Sequence, residues 1–444
     1  IPIKYIFMLM LALSVFTSAR YIVPLGELSN EAYAIPFLII LAATMLKVPY
    51  RKYTGSFLVL SLLLLFWIIL SGVSNYSAIL GSNFKGKAGF SKYIFQLVMI
   101  ACFFALSFCV ASIYSNRKKG IRLDYSTGIR CAFLISSLYA LIEIPRLFGV
   151  DMFSGVRGGI DFILRADGFQ SYSTLRLRSL AYESPSYANF LLCVCALCLA
   201  DLVGGYSPKK MFLFALVFML LILSGSRGGA AGLILLMGMA VFTNFSKKHR
   251  NSKTTLKIFS FGYWAAFTAV VAFILFADLT QIVDGLFDDY RFVSNIGRLG
   301  AQYASGQIFF DNPIFGVGLG QQGFYMAEYY PSWALVSWEV EAWSNPYYGT
   351  WPPGFSLYMR LLSETGIVGL FLFFYLNYVV LKYLLIMYLS DGEGKETAIL
   401  AFMTIFSSLI VFSFFDSFRY IPYWVGLSMY LILKNYEGEV LNES

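Results

Sequence analysis

Long apolar runs separated by short polar segments recur along the whole chain. A helix needs about 20 apolar residues to cross the hydrocarbon core of a bilayer. Runs of roughly that length occupy 3–19, 33–48, 55–74, 92–114, 127–144, 185–204, 210–224, 229–244, 257–277, 365–388, 397–414 and 418–434. The pattern predicts an all-α polytopic membrane protein with about twelve transmembrane helices, forming a single integral membrane domain over residues 1–444.

Basic residues cluster in every second polar segment, which is typical of loops that face the cytoplasm. They are Lys47, Arg51 and Lys52, then Arg117, Lys118, Lys119 and Arg122, then Lys209 and Lys210, then Lys247, Lys248, Arg250, Lys253 and Lys257. This alternation predicts that both termini are cytoplasmic. The loop at 75–91 is discordant, because it carries Lys85 and Lys87 on the predicted outer side. The first run resembles a secretory signal ending at Ala19, but more spans follow at once, which favours a first transmembrane helix.

Composition excludes a soluble protein. Hydrophobic residues make up 58% of the chain and charged residues 13%, about half the charged fraction of a typical soluble domain. The net charge of +8 lies in short clusters between apolar runs, so it indicates topology and not a nucleic-acid partner. The cysteines lie in or beside apolar runs, and we expect the cluster of Cys193, Cys195 and Cys198 to fill apolar space and not to bind a metal.

Two predicted outer loops, 145–184 and 278–364, are too long to be simple connectors. They are rich in arginine: Arg146, Arg157, Arg165, Arg176, Arg178, Arg291, Arg298 and Arg360. Lysine and arginine are usually enriched in cytoplasmic loops, so positive charge on the outer side indicates an anionic partner there. Alternatively, these arginines pair with neighbouring carboxylates on an ordinary solvated surface.

The segment Ser224–Gly229, with the sequence SGSRGG, connects two predicted spans on the outer side. Its glycines expose backbone N–H groups and allow a ligand to approach closely. Arg227 at headgroup depth is suited to a lipid-linked phosphate, which a guanidinium binds with two parallel hydrogen bonds. The alternative is an arginine that only extends to the membrane surface from a tight helical hairpin.

Aromatic residues are concentrated in the second outer loop. Four tryptophans lie there together with several tyrosines: Trp333, Trp338, Trp343, Trp351, Tyr325, Tyr329, Tyr330, Tyr347 and Tyr348. They form either a sugar-stacking surface or an interfacial aromatic belt. Glu339 and Glu341 lie among these rings, where burial could make one of them a general base.

Two further segments of this loop carry patterns of their own. The block 311–320, DNPIFGVGLG, has alternating glycines, but no strand and helix flank them in the order that a nucleotide loop requires. It predicts a close-packed turn that positions Arg298. The segment 355–366 predicts an amphipathic helix at the outer surface, in which Arg360 and Glu364 share a face.

Taken together, these segments resemble the bacterial O-antigen polymerase and ligase superfamily. The matching elements are SGSRGG (224–229), Arg298 with the following NPIFGVGLG, LLSETGIVGL (361–370) and ESPSY (183–187), while the first 170 residues match only in hydropathy. The resemblance implies a GT-C-like fold with a large helical periplasmic loop. It also implies transfer of glycans from undecaprenyl diphosphate on the periplasmic face of the inner membrane, without metal or other cofactor.

The resemblance favours a polymerase, which moves a growing glycan onto the next lipid-linked repeat unit. Ligases of this superfamily, which transfer to lipid A–core, carry a catalytic His whose register here falls on Phe355 or Ser356, and the only histidine is His249. A non-enzymatic glycolipid flippase is the remaining alternative.

The expected roles follow from the chemistry of this transfer. The diphosphate would be bound by Arg227, Arg298, Arg176, Arg178 and Arg360, and the sugars by Trp333, Trp338, Trp343 and Tyr347. The general base would be Glu183, Glu341 or Glu364. Expected partners are the undecaprenyl-diphosphate-linked oligosaccharide, membrane lipid and a chain-length regulator protein, but no nucleic acid.

Overall fold

The fold is built almost entirely of helices. A computed structural model describes residues 2–17, 19, 28–48, 55–115, 118–164, 176–249, 252–276, 293–390 and 392–443. Arg165, Arg291 and the stretch 278–292 of the second outer loop lie outside these residues. In chain order the helices are α1 (Ile3–Ala12), α2 (Ala34–Thr44), α3 (Ser56–Ser74), α4 (Tyr76–Gly81), α5 (Gly89–Ile113), α6 (Lys118–Leu147), α7 (Ser154–Leu164), α8 (Ser184–Val203), α9 (Pro208–Leu223), α10 (Arg227–His249), α11 (Ser252–Phe276), α12 (Val293–Asp311), α13 (Gln322–Tyr329), α14 (Trp338–Ser344), α15 (Leu357–Leu389), α16 (Lys395–Val411) and α17 (Ile421–Glu443).

Beyond these helices the described residues contain one small hairpin and three short 3₁₀ turns. Strand β1 (Asn83–Phe84) pairs antiparallel with β2 (Lys87–Ala88). The 3₁₀ turns are Leu13–Val15, Met45–Lys47 and Ser332–Val336. The all-α class predicted from the apolar pattern is confirmed.

Several of the helices are able to cross a membrane. Among the described residues, 6 helices are long and apolar enough: Ser56–Ser74, Gly89–Ile113, Gly120–Leu147, Ser184–Val203, Arg227–Lys248 and Leu357–Leu389. Shorter apolar helices span Ile3–Val15 and Ala34–Thr44. Helices also occupy the other predicted spans, in α9, α11, α16 and α17. The chain is therefore a multi-pass membrane protein, and the count of twelve crossings stays a prediction.

Small residues allow the central helices to pack closely. A Cβ atom at Gly229 of α10 would lie 2.9 Å from the Cβ of Ala188 in α8. Similarly, a Cβ at Gly426 of α17 would overlap the side chain of Ile405 in α16. Lipid is as apolar as a protein interior, so such close van der Waals packing carries much of helix association in a bilayer.

Charged contacts at one end of the helices join segments that the basic clusters assign to the cytoplasm. Arg130 pairs with Asp201 at 2.5 Å, and Arg122 pairs with Asp201 at 3.7 Å and with Glu396. Lys434 Nζ donates to Ser56 Oγ at 3.1 Å.

The opposite end joins the segments that the same pattern assigns to the outside. The contacts are Tyr182 N to Thr17 Oγ1 (3.0 Å), Leu177 N to Leu223 O (3.1 Å), Arg419 Nη1 to Glu31 Oε1 (3.3 Å) and Leu357 N to Phe412 O (2.9 Å). The helix ends therefore form two groups. One contains the ends that the basic clusters assign to the cytoplasm, and the other contains the ends that they assign to the outside.

The discordant lysines of the loop at 75–91 have partners at this second end. Lys85, at the turn of the β1–β2 hairpin, donates to the carbonyls of Ala342 at 2.7 Å and Thr350 at 2.6 Å. Lys87 Nζ lies 4.7 Å from the centroid of the Trp351 ring. Both lysines are thus explained by contacts with the region 293–356.

Helix α15 is broken at Gly366, and the glycine-rich block docks into the break. Gly366 has φ +68°, and a Cβ there would overlap the carbonyl of Ile314. The N–H groups of Val317 and Gly318 donate to the carbonyls of Ser363 and Glu364, both at 2.9 Å. The block is therefore a close-packed turn, as predicted, because only glycine permits this backbone approach.

Helix α3 satisfies other polar groups at the same break. Trp67 Nε1 donates to the carbonyl of Thr365 at 2.8 Å, and its ring stacks on Phe315. Ser71 Oγ donates to the carbonyl of Phe315 at 2.5 Å. These contacts hold the segment that follows α12 against helix α3.

Candidate functional site

A cavity of about 390 Å³ lies at the second end of the helices. It is lined by the N-terminal ends of α8, α10 and α12 and by the segments 353–355 and 414–416. Four of the residues that the sequence singled out line it: Arg176, Glu183, Arg227 and Arg298.

The SGSRGG segment places Arg227 at the cavity. Helix α9 ends at Leu223, and Gly225 then takes φ +61°, a left-handed conformation that favours glycine. Ser226 Oγ accepts a hydrogen bond from Gly229 N at 3.1 Å and so caps the start of α10. Arg227 is the first residue of α10 and its side chain is exposed.

Arg176 is held beside the same turn. The N–H of Leu177 donates to the carbonyl of Leu223 at 3.1 Å. The side chain of Arg176 crosses Gly225 so closely that a Cβ there would lie 3.3 Å from Arg176 Cγ. Gly225 thus ends one helix and also leaves room for an arginine from a separate segment.

Arg298 reaches the cavity from α12 and is half-buried. Its guanidinium carbon lies 5.3 Å from the ring centroid of Phe355, which also lines the cavity. Phe355 has φ +53°, which is strained for an aromatic residue. Such strain persists only where surrounding contacts enforce it, and it is often found at functional sites.

Glu183 is one of the carboxylates beside these arginines. Its backbone occupies the N-cap position of α8, but its side chain makes no capping bond. Burial raises the pKa of Glu183 above its ordinary value, and the positive charge of Arg298 opposes that rise. A raised pKa brings a carboxylate closer to the range in which it can accept and release a proton near neutral pH.

Glu339, which the sequence placed among the aromatic residues, is also close to this group. Burial raises its pKa, Arg298 lowers it and Glu183 raises it further. A Cβ at Gly297 would lie 3.0 Å from Glu339 Oε2, so the side chain packs on α12 one residue before Arg298. Arg298 therefore has two carboxylate neighbours.

Asp416 also lines the cavity, although no sequence pattern marked it as a site residue. Its Oδ2 accepts from Gly354 N at 2.5 Å, and its carbonyl accepts from Arg360 Nη1 at 2.9 Å. The available signal was a lone carboxylate in a tight turn between the last two apolar runs. The bond to Gly354 depends on the tertiary fold, which no local pattern shows.

Arg178 and Arg360 are not among the residues that line the cavity. Arg178 is buried and pairs with Asp161 at 3.3 Å. Arg360 pairs with Glu364 at 3.1 Å, as their spacing predicts. The pair is buried and not at the outer surface, and it supports the turn at Asp416. Glu341 is exposed on α14 and is also outside the lining.

The aromatic residues of the second outer loop divide into two groups. Trp343 is buried in a separate hydrophobic core of this region, with its ring centroid 5.4 Å from that of Phe355, and Trp333 packs beside that core. Trp338 and Tyr347 are exposed, with 68% and 95% of their surface accessible. The buried group supports Phe355, and the exposed group is open to a ligand.

The electrostatics of the cavity favour an anion. Among the lining residues that the structure describes, three arginines face two carboxylates. The N-terminal ends of α8 and α10 add the positive ends of two helix dipoles. Guanidinium groups from separate segments can bind several oxygens of one phosphate-containing ligand. Within the described ranges, no group of three His, Cys, Asp or Glu side chains could hold a metal ion.

Comparison with known proteins finds one family similarity, over part of the chain. Residues 212–374 match the family model described as O-antigen ligase. The match begins in α9 and ends in α15, so it contains Arg227, Arg298 and the region 293–356. A comparison with curated proteins finds no match. The matched segment is therefore similar to the O-antigen ligase family, as the motifs at 224–229, 298–320 and 361–370 indicated.

Proposed function

We propose that this protein is a polymerase of O-antigen or a related surface polysaccharide in the bacterial inner membrane. It would transfer a growing glycan from undecaprenyl diphosphate onto a lipid-linked repeat unit at the periplasmic face. The observation that carries this proposal is the cavity in which Arg176, Arg227 and Arg298 converge beside Glu183. The superfamily acts on lipid-linked polysaccharides, which supply the anion that such a cavity favours.

The residues of the cavity suit a direct transfer. Glu183 accepts the proton of an acceptor hydroxyl, and the hydroxyl oxygen attacks the anomeric carbon of the donor sugar. The bond between that carbon and the diphosphate oxygen breaks, and the diphosphate leaves with the bonding electrons. Arg176, Arg227 and Arg298 stabilise its developing charge. No nucleotide is needed, because the lipid diphosphate is the leaving group.

Phe355 supports a polymerase over a ligase. By resemblance, the catalytic His of a ligase would fall at Phe355 or Ser356, and Phe355 lines the cavity. A phenyl ring cannot transfer a proton. His249 ends α10, whose first residue is Arg227, so its backbone lies about 33 Å away at 1.5 Å per residue. The ligase alternative rests on the description of the matching family, which names that activity.

The proposed topology follows the loop pattern. Twelve crossings of a GT-C-like fold would leave both termini in the cytoplasm and place 145–184 and 278–364 in the periplasm. A chain-length regulator protein would be a further partner. A flippase, the non-enzymatic alternative, would need a cationic path between the two ends, whereas the arginines of this cavity share one end.

A reconstituted assay tests the proposal. The purified full chain in lipid vesicles is given undecaprenyl-diphosphate-linked repeat units, and the products are separated by gel electrophoresis. We expect a ladder of products longer than one unit with the wild type and none with Arg227→Ala. Transfer to lipid A–core alone would establish a ligase. Movement of the substrate across the vesicle membrane without any longer product would establish a transporter.

A further inference from the structure

A second cavity, of about 370 Å³, adjoins the arginine cavity. Tyr182, Ser186, Asn189 and Phe415 line both. It lies between the ends of α1, α8 and α17 and the segment before α2. The shared walls make the two cavities neighbouring compartments of one site.

The charge of the second cavity differs from that of the first. Among its described lining residues, Glu31 and Arg419 are the charged side chains, and they pair at 3.3 Å. Ser417 Oγ accepts from Arg419 Nε at 2.8 Å. Tyr33 donates to the carbonyl of Arg419 at 2.7 Å. The ion pair of Glu31 and Arg419 presents polar atoms without net charge, so the second cavity does not favour a diphosphate.

Asn189 is the feature that points to a ligand. Only 7% of its surface is accessible, yet its Oδ1 has no hydrogen-bond partner among the described residues. A buried carbonyl oxygen without a partner costs about 1–3 kcal/mol. Because Asn189 lines both cavities, a hydroxyl group entering from either could donate to it.

The spacing along α8 connects Asn189 to the candidate base. Glu183, the N-cap of α8, is three residues before Ser186, and Ser186 is three residues before Asn189, so each successive pair is adjacent on the helix surface. Glu183 and Ser186 line the arginine cavity, and Ser186 and Asn189 line the second. A ligand that contacts Asn189 and Ser186 in the second cavity would therefore extend past Ser186 toward Glu183.

We infer that the second cavity binds the acceptor sugar, an uncharged polyhydroxylated ring whose hydroxyls bond Asn189, Ser186 and the Glu31–Arg419 pair. The aromatic faces of Tyr182 and Phe415 in its wall suit the apolar face of such a ring. This inference rests on the proposed function, because it makes the second cavity the acceptor site of the same reaction.

Direct binding measurements test whether the second cavity is the acceptor site. The probes are the free repeat-unit oligosaccharide, released from its lipid by mild acid, and undecaprenyl diphosphate, each titrated into the purified full chain in nanodiscs. For Asn189→Ala we expect at least a 10-fold weaker affinity for the free oligosaccharide and an unchanged affinity for undecaprenyl diphosphate. Arg419→Lys should show the same selectivity, and it provides a second test if Asn189→Ala folds poorly.

A matched control is Asn377→Ala. Asn377 is fully buried in α15, accepts from Tyr423 at 3.0 Å and lines neither cavity. It should keep the oligosaccharide affinity of the wild type. Oligosaccharide binding that is unchanged in both test variants, or absent from the wild type, would overturn the acceptor site. Failure of the wild type to bind undecaprenyl diphosphate would instead refute the proposed function.

Discussion

The guanidinium of Arg298 lies over the ring of Phe355, 5.3 Å from its centroid, at the wall of the arginine cavity. Arg298 comes from the middle of the matched region, and Phe355 precedes α15 by two residues. The contact therefore joins an arginine of the proposed diphosphate site to one of the two positions at which the resemblance would place the histidine of a ligase.

Replacing Phe355 should weaken the reaction by loosening Arg298. A cation–π contact contributes about 0.5–2 kcal/mol, so we expect Phe355→Leu to lower kcat by roughly 2- to 30-fold in the reconstituted polymerisation assay. Phe355→Tyr, which keeps the aromatic face, should retain most activity. Complete loss in Phe355→Tyr, or wild-type activity in Phe355→Leu, would show that the ring does not position Arg298.

The acidic limb of the pH–activity profile should report Glu183. A base must be deprotonated, and burial raises the pKa of Glu183, so activity should fall at a higher pH than an exposed carboxylate would give. Arg298 lowers that pKa, so Arg298→Gln should move the limb to still higher pH, in addition to reducing the rate.

Glu364→Gln is the control for this profile. Glu364 pairs with Arg360 inside α15, and breaking a buried pair costs about 3–5 kcal/mol. We therefore expect a lower Tm with the acidic limb unchanged in the folded fraction. If the acidic limb of the pH–activity profile disappears in Glu364→Gln but persists in Glu183→Gln, the general base is Glu364.

The break in α15 at Gly366, into which the glycine-rich block docks, should not tolerate a side chain. At Gly366, both the positive φ and the overlap with the carbonyl of Ile314 oppose a Cβ. We expect Gly366→Ala to destabilise the protein by more than about 2 kcal/mol, seen as a lower Tm in detergent. Gly238→Ala is the matched control, since a Cβ in α10 meets nothing within 4 Å. Equal Tm values for the two variants would contradict the packing described for α15.

The sequence was sufficient for the helices and for part of the site. The apolar runs located the helices because the length of an apolar stretch depends only on consecutive residues of the sequence. Arg227 was recognisable from its flanking glycines, and Glu183 from the motif that begins α8. Diphosphate binding by Arg227 and the general-base role of Glu183 remain predictions.

Other parts of the site depend on tertiary structure. Asp416 joins the cavity through Gly354, far away in the chain, and the partner of Arg178 is a carboxylate in α7. The spacing of Arg360 and Glu364 predicted their pairing but not their burial, because the segment that covers them is distant in sequence. The discordant Lys85 was likewise explained only by its contacts with Ala342 and Thr350.

Cysteine labelling should separate the two ends of the helices across the membrane. Tyr347 and Tyr206 are both exposed, and they lie in loops predicted to face opposite sides. In a variant without the native cysteines, an impermeant thiol reagent added to spheroplasts should label Tyr347→Cys and not Tyr206→Cys. Labelling of Tyr206→Cys alone would invert the proposed topology.

We propose that Arg176, Arg227 and Arg298 bind a polyprenyl diphosphate. The affinity of the purified protein for undecaprenyl diphosphate, measured in nanodiscs, is the most direct test of this proposal. Arg130→Ala is the control, since Arg130 pairs with Asp201 at the other end of the helices. We predict that Arg227→Ala and Arg298→Ala each weaken binding by about 10-fold or more, as expected for the loss of a charge-assisted hydrogen bond of 1.5–3 kcal/mol, while Arg130→Ala binds like the wild type. Equal affinity in all four proteins would contradict the account.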